Sequence, residues 1–376
     1  MFSCKKDISD YFSSIPDPRV IGRCNHLLSD ILLIVLCTYL VGSSDYQDMV
    51  VFAQERRGGA LDGLLKLPNG VPSHDTFSRV FSILESKSLQ ECLMNHGRDI
   101  LSALSEKQIA IDRKKLHGVS PATRGNDGLY ILNAWVCENA LCVAQEKVLE
   151  KSNEITAIPK VLDMLDLEDA VVSIDAIGCQ TKIAKQIDEK KGYYFLSVKA
   201  NQQELYDDIE CAFKVHSGSS HNQEWEYDHG RLETRSCHIL PASDYLLEEK
   251  LNLWKNLSTL IKIESVRQTK NGSSNEVRYY ISNETQTNAA YYSNLARGHW
   301  SIENRLHWQL DVSFKLDVSF KEDACRAGEG NTPENLSILR KFALQILNQK
   351  NDKLSIRKRQ LKAALNKQYL IELLKI

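Results

Sequence analysis

The sequence predicts an α/β (α+β) protein in which a mixed sheet flanked by helices follows an all-helical N-terminal domain. Up to about Leu104 the apolar residues recur at helical spacing. At Gln108 the period changes, and runs rich in β-branched and aromatic residues follow in the order β-β-β-α-β-α-β. Residues 205–285 then interrupt that order with strand-like pieces separated by turn residues, which reads as a β-rich insertion.

The N-terminal domain, residues 1–105, rests on LSDILLIVLCTYLVG, YQDMVVFAQERR and HDTFSRVFSILESKSLQECLMNHGRDILSAL. Ser73 and Asp75 are candidate N-caps for the third segment. The second domain, residues 106–348, opens with the strands QIAIDRKKL, LYILNAWVC and LCVAQEKVL, the last two joined at the turn-forming ENA. NEITAIPKVLDMLDL returns to helical spacing, AVVSIDA is a short buried-strand run, QTKIAKQIDEKK is an amphipathic helix and YYFLSVKA is a further strand. The insertion contributes EWEYDH, RLETRSCHIL, LIKIESV and EVRYYIS. Helical spacing resumes in AAYYSNLARGHWSIENRLHWQL and again in NLSILRKFALQILNQ, and residues 349–376 form a basic helical arm.

Hydrophobic content of 43% with 26% charge is that of a globular protein. The run ILLIVLCTYLVG falls short of the roughly 20 residues that cross a bilayer, so it reads as a buried helix and no membrane partner is expected. The first residues lack the pattern of a secretory signal, and ten cysteines without a CxxC pair, several inside apolar runs, suit reduced thiols. A cytoplasmic protein is therefore expected. The formal net charge of -2 does not announce a nucleic-acid partner, but from Arg340 onward the basic residues face only Asp352 and Glu372 as acids. That distribution makes the C-terminal end a positive arm or, alternatively, a solvated helix face.

Three acids invite a catalytic reading. Asp112 closes the first strand's apolar run and Asp175 closes VVSIDA, and the ends of neighbouring central strands are where side chains converge on a ligand. With Glu303 from a packed helix they would supply hard oxygen ligands for Mg²⁺, which polarises a phosphodiester toward in-line displacement. A strand-end aspartate is also a common turn or cap residue, so each acid alone proves little. His299, Glu303 and His307 share one helix face at i, i+4 and i+8, but three successive turns span roughly 12 Å, too far for one ion. Trp300 and Trp308 are expected to pack that helix, and the histidines to hydrogen-bond or touch DNA. In HGRLETR an extended backbone projects Arg231, Glu233 and Arg235 from one face, which suits phosphate contacts or a salt-bridged surface strand.

Over nearly its whole length the chain resembles the H-repeat-associated proteins among the insertion-sequence DDE transposases. The resemblance is carried by HLLSDILLIVLC, GVPSHDTFSRVFS, AIDRKKLHG, EKSNEITAIPKVLDMLDL, SIDAIGCQ, VKANQ, HGRLETR, RYYIS, HWSIENRLHWQLDVSFKED and GNTPENLSILRKFAL. It implies an RNase H-like catalytic core, with the family's acids falling on Asp112, Asp175 and Glu303 as catalytic and metal-binding residues. It further implies Mg²⁺ (with Mn²⁺ as a substitute), double-stranded DNA at element ends and target, and a homodimer assembled on that DNA. Arg231, Arg235, Arg297, His299 and Lys199 are the expected DNA contacts.

The chain departs from the family pattern in three places. Arg113 stands where the family has Gly, which adds bulk and charge beside Asp112. Lys115, Leu116 and His117 replace a small polar residue followed by Leu-Arg. Finally, LDVSFK at Leu310–Lys315 is repeated at once at Leu316–Lys321. Six residues inserted into a helix would advance it about 9 Å and rotate the downstream chain by roughly 240°, dislocating the C-terminal helix. Inserted into a loop they would cost little. These departures keep a second reading open, a DNA-binding relic that no longer cleaves, and a nuclease without a joining step is a third.

Overall fold

A computed structural model describes residues 8–375 except 21, 57–63, 102–106, 120–128, 149–153, 217–219, 229–230, 270–271 and 312–319, and leaves the side chains of 220, 221, 228 and 231 undescribed. The N-terminal helices are α1 (Ile8–Ser13), α2 (Leu28–Leu40), α3 (Tyr46–Arg56), α4 (His74–Ile83) and α5 (Ser86–Ile100). In α2 every residue except Ser29 is buried, which explains why its sequence is apolar on all sides. Its one buried carboxylate, Asp30, accepts from the backbone N–H groups of Lys66 and Leu67. Ser73 caps α4 by accepting from Thr76 N–H, whereas Asp75 lies inside the first turn.

The sheet is built from β1 (Gln108–Leu116), β2 (Leu129–Val136), β3 (Leu141–Val148), β4 (Val171–Ile174), β5 (Tyr193–Val198), β6 (Ser220–Asp228), β7 (Arg231–Pro241), β8 (Thr259–Thr269) and β9 (Gly272–Ser282). Among the described residues these form one mixed sheet in the order β3-β2-β1-β4-β5-β9-β8-β7-β6. β1, β4 and β5 run parallel, and every other neighbouring pair is antiparallel. The insertion is therefore hydrogen-bonded to the central strands through β5 and β9.

Helices α6 (Glu154–Asp163), α7 (Thr181–Glu189) and α8 (Gln203–Val215) cover one face. The strand-like reading of residues 205–285 passes over α8, whose buried Leu205, Ile209, Ala212 and Phe213 recur at helical spacing. A short α9 (Glu248–Leu253) lies between β7 and β8. On the opposite face α10 (Ala289–His299) packs against β5, β7, β8 and β9 through Tyr292, Leu295 and Ala296. A π-helical segment, Glu303–His307, and α11 (Trp308–Asp311) follow it.

The C-terminal helices α12 (Thr332–Asn348), α13 (Ile356–Leu365) and α14 (Lys367–Leu374) return to the N-terminal helices and share their core. The expected positive arm is corrected in part: Arg340, Lys341 and Arg359 are buried. Arg340 lies over the Tyr39 ring, Lys341 donates to Gln145 and Ser337, and Arg359 pairs with Asp352 and with carbonyls of Leu347 and Lys350. Their charge is used inside the fold, because buried cations persist only where acceptors and counter-charges meet them.

Most of the doubled hexamer falls on residues 312–319, outside the described residues. Its flanks nevertheless meet, since Glu322 N–H donates to Leu310 C=O at 3.0 Å. α12 is docked against α2, α4 and α5, so the dislocation that a helical insertion would cause is not seen among the described residues. Among the described residues no helix is long and apolar enough to cross a membrane.

Candidate active site

The register of β1 and β4 brings the two aspartates together. Ile111 and Ile174 are parallel partners, so Asp112 and Asp175 follow side by side on adjacent strands. Both share the sheet face of Ala110 and Ser173, toward α10, while Ile109, Ile111, Val172 and Ile174 face α6 and α7. Asp175 also caps the short 3-10 turn Ala176–Gly178 by accepting from Ile177 N–H at 3.3 Å, the role expected of an ordinary strand-end aspartate.

Close packing fixes α10 over these strands. A Cβ on Gly298 would stand 1.9 Å from Gln108 Oε1, so glycine lets the helix approach this closely with Gln108 in place. In that approach Gln108 Nε2 donates to Leu295 C=O at 2.7 Å and to Ser173 Oγ at 2.9 Å, which ties α10 to β1 and β4.

Beyond Trp300 the helix does not continue at 3.6 residues per turn, because Glu303–His307 is π-helical. The wider turn keeps residues four apart on one side, and His299, Glu303 and His307 all face the central strands. His299 Nδ1 lies 3.1 Å from Ser173 Oγ, whereas His307 lies 3.6 Å from Asp112 Oδ2 and 3.3 Å from Asn133 Nδ2. Burial pushes the pKa of His299 down to about 4 and that of His307 down to about 3, so both rings are neutral near pH 7.

Asp112, Asp175 and Glu303 line one cavity of about 210 Å³ together with Lys199, Arg278, Tyr280, His299 and Trp300. Burial, followed by repulsion from Asp175, Glu303 and Glu154, pushes the Asp112 carboxyl up to about 7. Burial and Asp175 likewise raise Glu303, against the opposing charge of Arg278. Among the described residues no three His, Cys, Asp or Glu side chains already form a cluster that would hold a metal ion. The donor set is still chemically suited to a hard divalent cation, which is usually bound by one or two carboxylates with water and phosphate oxygens completing the shell.

The expected DNA contacts divide. Lys199 is exposed at the end of β5 and lines the acid cavity. Arg235 and Arg297 line a neighbouring trough of about 600 Å³, but each is paired with carboxylates, Arg235 with Glu233 at 2.6 Å and Arg297 with Glu224 at 3.0 Å. Arg231 opens β7, and its side chain lies outside the described residues. Trp300 and Trp308 are exposed rather than packing the helix.

Two features went unread in the sequence. Arg278 of β9 reaches the acid cavity and lies over Trp300, 4.4 Å from the ring centroid. Lys114 pairs with Asp311 at 2.8 Å, Asp323 at 3.0 Å and Glu322 at 3.2 Å. Although burial opposes it, Lys114, Lys341 and Arg340 together hold Glu322 down at about 2. The neighbouring Arg113 points to the other sheet face, where its Nε meets Glu154 Oε2 at 2.7 Å and its guanidinium lies over Tyr130.

A mixed sheet that sets two strand-end aspartates and a helix glutamate around one cavity defines a carboxylate-centred site. Residues 105–323 match the family model described as "Transposase DDE domain" and residues 9–97 the model described as "DDE_Tnp_1-associated", and the chain belongs to the DDE transposase family. Within it, the chain is a member of the H-repeat-associated group. It is 34% identical over 381 residues to the "H repeat-associated putative transposase YhhI" of Escherichia coli strain K12, covering 98% of each chain. To the "Putative transposase YncI" of Escherichia coli O157:H7 it is 35% identical over 380 residues, covering 98% of this chain and 94% of that one.

Proposed function

We propose that the chain is an insertion-sequence transposase that cleaves DNA at the ends of its element and joins the freed 3′-hydroxyl to target DNA. The observation that carries this reading is the convergence of Asp112, Asp175 and Glu303 on one cavity. The order β3-β2-β1-β4-β5, in which β2 alone runs antiparallel to the central β1, supports an RNase H-like core beneath them.

In the first step a water oxygen attacks the scissile phosphorus and the P–O3′ bond breaks, leaving a 3′-hydroxyl and a 5′-phosphate. In the second that 3′-hydroxyl attacks a target phosphodiester, a new P–O bond forms, and the target's own 3′-oxygen leaves. Asp112, Asp175 and Glu303 would hold Mg²⁺ or Mn²⁺, which supplies charge stabilisation on the phosphate and a lower pKa for the attacking water. Carboxylates that repel one another favour that binding, because a cation relieves the repulsion. Lys199 contributes a cation for phosphate at the same cavity. Joining two ends calls for two active sites, hence a homodimer on DNA.

The features that speak for a non-cleaving relic lose force. Arg113 is directed at Glu154 on the opposite sheet face, and the chain on either side of the duplication is held together. The deciding experiment incubates purified protein with Mg²⁺ or Mn²⁺ and a duplex carrying the flanking sequence of its own coding region. Cutting at the element boundary and covalent transfer to a second duplex are expected. Binding without cutting would select the relic, and cutting without transfer would select a plain nuclease.

A further inference from the structure

The acid cavity and the larger trough beside it share Arg278, Tyr280 and Trp300, so these residues stand at the junction of the two. Arg235, Arg297 and Arg278 all line the trough and each is paired with a carboxylate, Glu233, Glu224 and Glu276, but of the three only Arg278 also lines the acid cavity. The acid cavity holds three carboxylates against two side-chain cations, Lys199 and Arg278. In chelator, a phosphodiester approaching that cavity meets net repulsion unless a cation contacts it at the entrance.

Arg278 is built for that contact. Its guanidinium lies 4.4 Å from the centroid of Trp300, and its Nε donates to Glu276 Oε1 at 2.7 Å, so the plane is held from its face and from one edge. A guanidinium carries five N–H donors, more than Glu276 and the neighbouring Tyr280 hydroxyl take up. The fork geometry suits two oxygens of one phosphate, whereas Lys199 offers a point charge on a flexible stem. Trp300 precedes Glu303 by one helical turn on the chain that carries the third acid, so the stack links the insertion to the acid-bearing helix.

We propose that Arg278, held by Trp300, is the phosphate contact that seats the DNA strand at the mouth of the acid cavity. The assignment deepens the transposase reading and rests on it. Arg278 grips a backbone phosphate next to the scissile one, and the trough receives the strand beyond it. Trp300 acts as a positioning residue through the guanidinium.

The test is a binding cycle in chelator, so that it reads strand seating without any chemistry. Wild type, Arg278→Gln, Arg278→Lys and Trp300→Ala are titrated with the flanking-sequence duplex and with a series in which single phosphates near the boundary are replaced by neutral methylphosphonates. Neutralising one particular phosphate is expected to weaken wild-type binding about 10-fold, in the range of a charge-assisted contact. Arg278→Gln weakens binding to native DNA equally and loses nothing more on that modified duplex. Arg278→Lys recovers only part of the affinity, and Trp300→Ala falls between.

Equal binding by wild type and Arg278→Gln, or additive losses at every phosphate, overturns the assignment while leaving the transposase reading intact. Should Arg278→Gln fail to fold, the wild-type scan decides alone, and a flat profile across the boundary phosphates overturns the assignment. Failure of wild type to bind any of the duplexes overturns the transposase reading, and the assignment falls with it.

Discussion

Lys114 Nζ lies 3.2 Å from Glu322 Oε2, which joins the strand carrying Asp112 to the chain just downstream of the doubled hexamer. Lys114 also meets Asp311, just upstream of the undescribed residues, so one buried ammonium gathers both flanks. Removing it strands the buried Glu322 carboxylate, a loss of about 3–5 kcal/mol where one partner of a buried ion pair disappears. Lys114→Met should therefore lower the melting temperature sharply or prevent folding, whereas Glu322→Gln combined with Lys114→Met should recover part of the loss. A melting temperature for Lys114→Met within two degrees of wild type would refute the clamp.

Because the flanks are held together, the duplication should be nearly neutral for stability. Deleting residues 312–317 restores a single LDVSFK. Loop-closure entropy changes by only about 0.6 kcal/mol per doubling of length, so denaturant midpoints should differ by less than about 1 kcal/mol. A large gain on deletion would mean that the second copy strains the docking of α12.

Asp112→Asn, Asp175→Asn and Glu303→Gln should each remove cleavage by at least about 10³-fold, by analogy with loss of a group that stabilises transition-state charge. In chelator their melting temperatures should equal or exceed that of wild type, because each substitution relieves carboxylate repulsion. Retained cleavage in any of the three would free that residue from the assigned role.

Gly298→Ala should act at a distance from the chemistry. Its Cβ would collide with Gln108 Oε1, so α10 must lift or Gln108 must give up its bonds to Leu295 and Ser173. A loss of about 1–3 kcal/mol is expected from such overpacking, measured by chemical denaturation, together with slower cleavage at unchanged DNA affinity.

His96 provides a pH signature away from the acids. Its Nδ1 is 3.1 Å from Gln345 Oε1 and its ring stacks on Phe342 at 4.6 Å, joining α5 to α12. Burial holds its pKa down at about 4, with Gln345 and Asp99 opposing the shift. The unfolded imidazole takes a proton near pH 6.5 while the folded one waits for about 4, so stability is full above 6.5 and falls as pH drops between those values. The slope should approach about 1.4 kcal/mol per pH unit from this residue, and His96→Gln should flatten it, as read from melting curves between pH 7.5 and 4.5.

Much of this architecture could be read from the chain. The run VVSIDA announces β4 because a parallel central strand is apolar on both faces, and the aspartate after it had few other places to go. The orientation of Arg113 was also available, since adjacent residues on a strand face opposite ways. What could not be read depends on partners far along the chain. Lys341 resembles a surface lysine until Gln145 and Glu322 are brought to it. Arg278 resembles a surface residue of an antiparallel strand until the β5–β9 pairing carries it to the cavity. The π-helical turn after Trp300 could not be read from apolar spacing, because that reading assumes the regularity the segment abandons.

The pairing of β5 with β9 has a mechanical consequence. Three strand spacings of about 4.8 Å put β9, which carries Arg278, roughly 14 Å from β1, which carries Asp112, a separation fixed by hydrogen-bond ladders with no linker between them. The side chains of both residues reach into one cavity from that spacing, so the sheet holds the grip at a fixed offset from the acids. A strand laid along it would be measured from grip to cut by the protein's own geometry.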